Sequence, residues 1–197
     1  FFLETQFFRR MDHWIYMKWI RIQDESKWRV ENAREMGMIV GENCRFFSLM
    51  VLSEPFLVEI GDNVIVSTDV IFLTHDGGVF LFLDEVPNLR GHYGRIKIGN
   101  NCFIGSGSII LPNVAIGNNC IVGPGAVVMQ SVPDGSVIMG NPAKVIFKTE
   151  LYKKMKLNSV YTIKNDQYPF PTIMPEEMRK RLLLEHFRSL PLKRTKA

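Results

Sequence analysis

Residues 98–128 read IGNNCFIGSGSIILPNVAIGNNCIVGPGAVV, and an aliphatic side chain returns every six positions: Ile98, Ile104, Ile110, Ile116, Val122 and Val128. Glycine follows four of them (Gly99, Gly105, Gly117, Gly123), and the fourth residue after each is small or β-branched: Cys102, Ser108, Val114, Cys120, Ala126 and Val132. A period of six fits neither the 3.6 of an α-helix nor the two-residue alternation of a hairpin meander. It fits a coil of short strands, three hexads to a triangular turn. The aliphatic and the small residue point into the prism, and Gly, Asn and Asp take the corners, as in Gly61-Asp62-Asn63, Gly99-Asn100-Asn101 and Gly117-Asn118-Asn119. The glycine is expected to supply backbone freedom at a sharp corner.

Outward from this stretch, Ile60, Val66 and Phe72 form an earlier set on its own phase, and Val40, Phe46 and Leu52 a rougher one. Roughly five coils result, a prism ~20 to 25 Å long at a strand spacing of ~4.8 Å. Burying one such aliphatic is worth about 1.5–3 kcal/mol, so the column is stable as a stack and not as one coil. The three cysteines, Cys44, Cys102 and Cys120, all take the small inward position. They read as buried fillers, since an odd count without a CxxC pair supports neither a disulfide framework nor a zinc site.

The chain has 197 residues, 46% hydrophobic, with 24 basic against 20 acidic residues and a net charge of +4. That supports one well-buried domain with extensions. The basic residues do not gather into a cluster of the kind that tracks a nucleic-acid backbone, so no nucleic-acid partner is expected. No stretch approaches the ~18 apolar residues of a spanning helix, and the Phe-rich start is broken by Glu4, Thr5 and Gln6 before it forms a signal-peptide core. The expectation is a soluble cytoplasmic protein.

Hexads with glycine at the second place, a loop after Thr74-His75, and the closure Gly140-Asn141-Pro142-Ala143-Lys144-Val145 together resemble the hexapeptide-repeat acyltransferases. More narrowly they resemble the galactoside, maltose and polysaccharide O-acetyltransferases, over about residues 28 to 150. The resemblance implies a mainly β chain, a left-handed parallel β-helix of hexapeptide repeats with α-helical N- and C-terminal extensions. That hand is an exception to the right-handed crossover rule, and periodicity alone does not give it. The organisation expected is a helical extension at 1–37, the β-helix at 38–147 with a protruding loop at 76–95, and a second helical extension at 148–197. The resemblance further implies a homotrimer with acetyl-CoA as co-substrate in a groove between neighbouring prisms, and no metal.

Attack of a sugar hydroxyl on a thioester needs a base close to its proton, a task suited to an imidazole with pKa near ~6.5. His75 stands where the repeat breaks into the loop, the place of the family's catalytic histidine, and is the expected general base. Asp76 beside it is a candidate to orient the imidazole or to bind a sugar hydroxyl. His92 and Tyr93 in the loop, and Glu54 before Pro55 on the preceding coil, are further acceptor-binding candidates. Glu54 matches the family's acceptor carboxylate only with spacing off by a couple of residues. For the co-substrate the resemblance points to Gly105, Ser106, Gly123, Pro124, Met129 and Gln130. It adds Phe103, where relatives often carry Trp, and Lys144 for a phosphate. Met129-Gln130 stands where many relatives have Thr-Lys, so one expected phosphate cation is missing. The expected chemistry is O-acetylation of a sugar or polysaccharide hydroxyl by direct transfer, and N-acetylation of an amino sugar or xenobiotic stays open.

Residues 7–35 carry Trp14, Trp19 and Trp28 amid Arg9, Arg10, Lys18 and Arg21, and read as helical segments with an aromatic face packing over the open end of the prism. A basic aromatic helix of this kind also suits peripheral contact with an anionic membrane. Tyr168-Pro169-Phe170-Pro171 reads as an extended linker, and a helix is expected from Pro175. Two rivals on the same prism fare poorly. A zinc-dependent γ-type carbonic anhydrase needs three histidines on facing coils, and only His75 lies in one. A non-catalytic scaffold has no use for the interrupting loop and its closure.

Overall fold

The computed structural model of the chain describes residues 25–50, 52–82, 84–85 and 91–159, with Glu177, Lys180, Arg181, Leu183 and Leu184. The segments around Trp14, Trp19 and Tyr168 to Pro175 lie outside the described residues. Residues 24–153 form one compact unit, and residues 1–23 with 154–197 are assigned to another. The first unit thus takes in residues 25–37 along with the coil. In the second, the described residues from Glu177 to Leu184 are helical.

Two- to four-residue strands stack in parallel into three faces of a left-handed β-helix. On the first face Ile39–Val40, Val58–Ile60, Ile96–Ile98 and Ala115–Ile116 follow one another, and Val132 adds a fifth layer by a bridge to Ile116. The second carries Arg45–Phe46, Ile65–Val66, Phe103–Ile104, Ile121–Val122 and Ser136–Met139, and the third Ile71–Phe72, Ile109–Ile110 and Val127–Val128. The hexad aliphatics from Ile98 to Val128 are at most 2% exposed, as are Cys102, Ser108, Val114, Cys120 and Ala126 at the small position. Val132 departs from the expectation: it pairs with Ile116 and so takes the aliphatic place of a shortened last coil.

The corner glycines are there for room. None of Gly41, Gly61, Gly99 and Gly117 has a positive φ; the left-handed turn is made two residues later by Asn43, Asn63, Asn101 and Asn119, at φ 55–57°. A Cβ on those glycines would stand 2.2–2.8 Å from an Oδ1 of the next coil, belonging to Asp62, Asn100, Asn118 and Asp134 in turn. Each of those oxygens accepts the N–H of the residue after the glycine, at 2.7–2.9 Å. One edge is thereby laced by side-chain-to-backbone bonds that need a bare Cα beneath them. At its end the Asn118 side chain, then its backbone N–H, holds the Asp134 carboxyl below the usual carboxylate range. Cys44, Cys102 and Cys120 point their thiols at carbonyls of the following coil, Gly61, Gly117 and Pro133, at 3.1–3.3 Å. Burial pushes the Cys44 thiol up, as suits a filler and not a nucleophile.

Among the described residues no strand pairs with the outer side of the first coil, and side chains of the preceding helix bond there. In inner coils the carbonyls of Ile60 and Val66 accept from the coil before. In the first coil the matching carbonyl of Val40 accepts from Arg34 Nε at 3.0 Å, and that of Phe46 from Arg29 Nη1 at 3.4 Å. Ser26 Oγ takes the Phe46 N–H at 3.2 Å. All three side chains stand on helix α1 (residues 25–35), whose Val30 and Ala33 are buried in the same core as the column. At the other end Lys144–Lys148 runs antiparallel to Ser136–Met139 and leads into helix α2 (Thr149–Leu157), where Thr149 Oγ1 donates to the Asn119 carbonyl at 2.7 Å. No helix among the described residues is long and apolar enough to cross a membrane.

Ser108 Oγ is fully buried with no hydrogen-bond partner among the described residues. Leaving a hydroxyl so costs about 1–3 kcal/mol, and Ala126 fills the matching place one coil on. Ser108→Ala is expected to hold or raise the urea midpoint, by up to about 1 kcal/mol in stability. A clear loss would reveal a partner for the hydroxyl.

Candidate active site

Three departures from the 18-residue turn occur, and all fall on the edge that leads into the first face. Val40 stacks on Ile60, 20 positions on, with the surplus just before Val58, at the 3₁₀ turn Pro55–Leu57. Ile60 stacks on Ile98, 38 positions on, because the loop intervenes. Ile116 stacks on Val132, only 16 on, the deficit falling between Val128 and Val132. On the other two edges the hexads run without interruption from Val58 to Val128. The broken edge carries Glu54, then Thr74 and His75, then Pro112-Asn113, then Met129-Gln130.

His75 and Asp76 leave the coil as a strand that pairs antiparallel with His92 and Tyr93, His75 opposite Tyr93 and Asp76 opposite His92. This two-rung ladder closes the base of the loop, so His75 is held from both sides. Its side chain is 42% exposed, and Tyr93 lies beside it with ring centroids 6.1 Å apart. Gly91, at φ +135°, makes room for that ring: a Cβ there would sit 2.7 Å from Tyr93 Cε2.

The group that orients His75 is Glu54. Its Oε2 lies 2.9 Å from His75 Nδ1 and accepts the Thr74 hydroxyl at 2.5 Å. The turn Pro55–Leu57 does not use Glu54 as a side-chain cap, which leaves the carboxylate free to reach the next coil. The Thr74 hydroxyl, and then His75, hold the Glu54 carboxyl below the usual carboxylate range. The site order this lends is therefore complete above the ordinary carboxylate pKa and is lost as pH falls through the depressed value. With Nδ1 donating to Glu54, the imidazole presents the Nε2 lone pair outward, the arrangement a general base requires. Asp76 makes a different contact: its Oδ1 accepts the Gly78 N–H at 2.8 Å and shapes the loop.

The co-substrate candidates lie elsewhere on the prism. Ser106 and Pro124 are exposed on the edge between the second and third faces, where Ser106 Oγ meets Ser67 Oγ at 2.6 Å. Gly105 and Gly123 have a packing reason of their own, since a Cβ would come within 2.6 Å of Pro124 N and 2.7 Å of Met139 Cγ respectively. Phe103 projects from the second face between Ile65 and Ile121, in a shallow groove of about 390 Å³ that Thr149 and Glu150 also line. Met129 and Gln130 share the edge of His75 but stand two coils on, ~10 Å along the axis. Lys144 is exposed on the returning strand. One copy thus brings Glu54, Thr74, His75 and Tyr93 together and leaves Phe103, Ser106, Pro124 and Lys144 on other surfaces. The sequence reading missed Thr74 as a site residue; the signal available was a hydroxyl just before the histidine at the break of the repeat. Among the described residues no three His, Cys, Asp or Glu side chains gather as a metal-ligand set.

The molecule is thus a β-helix whose one broken edge holds an exposed histidine in contact with a carboxylate. Residues 95–130 match the family described as bacterial transferase hexapeptide (six repeats). It is similar to Protein CapG of Staphylococcus aureus, at 48% identity over 87 residues, 43% of this chain. The match spans 50% of that relative's length. Among solved structures, a maltose O-acetyltransferase from Clostridium difficile 630 aligns at 26% identity and TM-score 0.45, over 71% of this chain and 84% of that one. Soybean serine acetyltransferase aligns at 29% identity and TM-score 0.44, over 56% of this chain and 40% of that one.

Proposed function

We propose that this chain is an acetyl-CoA-dependent O-acetyltransferase acting on a sugar or polysaccharide hydroxyl, with His75 as general base. The observation that carries the reading is the Glu54–His75 pair at 2.9 Å, set on the broken edge of a hexapeptide-transferase column. His75 Nε2 takes the acceptor's hydroxyl proton as that oxygen forms its bond to the thioester carbonyl carbon. The C–S bond breaks, and the imidazolium returns the proton to the departing sulfur, giving an acetyl ester and free thiol. Glu54 stays ionised throughout and balances the imidazolium. No acyl-enzyme forms.

The residues available suit the co-substrate: an exposed hydroxyl at Ser106, an exposed ammonium at Lys144 for a phosphate, and an apolar surface at Phe103. Because these lie away from His75 within one copy, the reading includes a homotrimer in which acetyl-CoA lies between neighbouring prisms. In this reading His92 and Tyr93, which pair with Asp76 and His75, are the loop's contacts to the acceptor.

The test is free-thiol release from acetyl-CoA against a panel of sugars, oligosaccharides, amino sugars and xenobiotics. Release with hydroxyl-only saccharides is expected. Release confined to amino acceptors would move the reaction to N-acetylation, and acetyl-CoA neither bound nor turned over would overturn the reading.

A further inference from the structure

Thr74 is the one buried polar side chain at the site, 2% exposed, and its hydroxyl has a single described partner, Glu54 Oε2. The same oxygen faces His75 Nδ1. A hydroxyl can donate or accept, but a carboxylate only accepts. The Thr74 proton is therefore committed to Oε2, and Oε2 in turn receives the Nδ1–H. We propose that Thr74 is a positioning residue for the transfer reaction: through Glu54 it fixes His75 as the Nδ1–H tautomer with a free Nε2. This rests on the reading of His75 as the base and adds a member to its machinery.

The fold explains why the carboxylate needs such a tie. Glu54 stands on the two-residue surplus of the preceding turn, a 3₁₀ segment outside the strand ladders, and reaches 20 positions along the chain to Thr74. Thr74 belongs to the coil: its carbonyl accepts the Gly94 N–H at 2.8 Å, at the point where the loop rejoins the column. One buried residue thus holds an irregular turn by its hydroxyl and the end of the loop by its backbone carbonyl. Without it, Glu54 would keep the exposed imidazole as its one partner among the described residues, and its carboxylate would be free to swing toward water. The other groups facing His75 do not substitute for it. Asp76 Oδ1 is engaged with Gly78, His92 lies opposite Asp76, and Tyr93 presents its ring.

The experiment compares wild type, Thr74→Val and Thr74→Ser, with ¹⁵N-labelled histidine in the full chain. There are four histidines to resolve, and His75→Ala assigns the signal. In wild type the neutral His75 signal is expected to show Nδ1 protonated and Nε2 bare. Thr74→Val preserves volume and is expected to mix the two tautomers and to lower kcat about tenfold to a hundredfold. The KM for acetyl-CoA should not move, and Thr74→Ser should restore both signatures. A pure Nδ1–H tautomer and unchanged kcat in Thr74→Val would overturn the proposal. If Thr74→Val fails to fold, Glu54→Gln removes the ionised acceptor from the other side, and an unaltered tautomer there would overturn it equally. The tautomer is read without any acceptor, so an absence of transfer in wild type would count against the acetyltransferase reading and leave this test intact.

Discussion

His75→Ala is expected to lose about 100- to 10,000-fold in acceptor-dependent thiol release, the range a general base contributes. Binding of acetyl-CoA should persist, because the surfaces assigned to it, around Ser106, Phe103 and Lys144, do not include the imidazole. The fold should persist as well: the side chain is 42% exposed and contributes nothing to the column. Kinetics and calorimetry separate these outcomes. A fall in kcat with acetyl-CoA affinity retained supports the base, and equal turnover in the variant would move the proton transfer to another group. The variant also leaves Glu54 with Thr74 as its remaining described partner, so its carboxyl should titrate closer to the ordinary range, the His75 contribution to its depression being gone.

Gly99→Ala is expected to be strongly destabilising for so small a change. Its Cβ would meet Asn118 Oδ1 at 2.8 Å, Gly117 C at 2.8 Å and Asn118 N at 2.9 Å. Two of these are backbone atoms of a stacked coil that cannot step aside without parting the ladder. Overpacking of this kind costs about 1–3 kcal/mol, and displacing Asn118 forfeits its bond to the Asn100 N–H, about 1 kcal/mol more. The sum, about 2–4 kcal/mol, corresponds to a melting point lower by roughly 5–15 °C. Gly77→Ala is the control: nothing lies within 4 Å of the added carbon, and no loss is expected. If both variants melt together, room beneath the Asx oxygens is not what the corner glycine provides.

The column was legible because every coil repeats the same demand. One aliphatic at each hexad must fill the prism, and misplacing it by a single residue would turn it to water. The reason for the corner glycine was not legible: Gly99-Asn100-Asn101 shows that a tight corner exists, but which of the three bends and which makes room depends on the coil beneath. His75 could be found from the break in the repeat. Its partner could not be assigned in the same way. Asp76 is adjacent in sequence yet turns back onto Gly78, whereas Glu54 arrives from the previous turn by a surplus of two residues. Proximity across an irregular turn leaves no periodic trace. The reach of the co-substrate residues is hidden for a related reason, since Phe103 and Ser106 look outward from other sides of the prism.

All three length changes, two residues gained, twenty gained and two lost, share one edge, and this divides the molecule into parts that can be edited separately. Insertions there do not propagate: the second and third faces show the same 38-position offset across the loop as the first. A different loop exchanged for residues 77–91 would therefore meet the same ladder above and below, whatever its length, provided the rungs His75–Tyr93 and Asp76–His92 were kept. In the proposed reaction, the acceptor-binding loop can then be changed at that edge while the rest of the solenoid keeps its register.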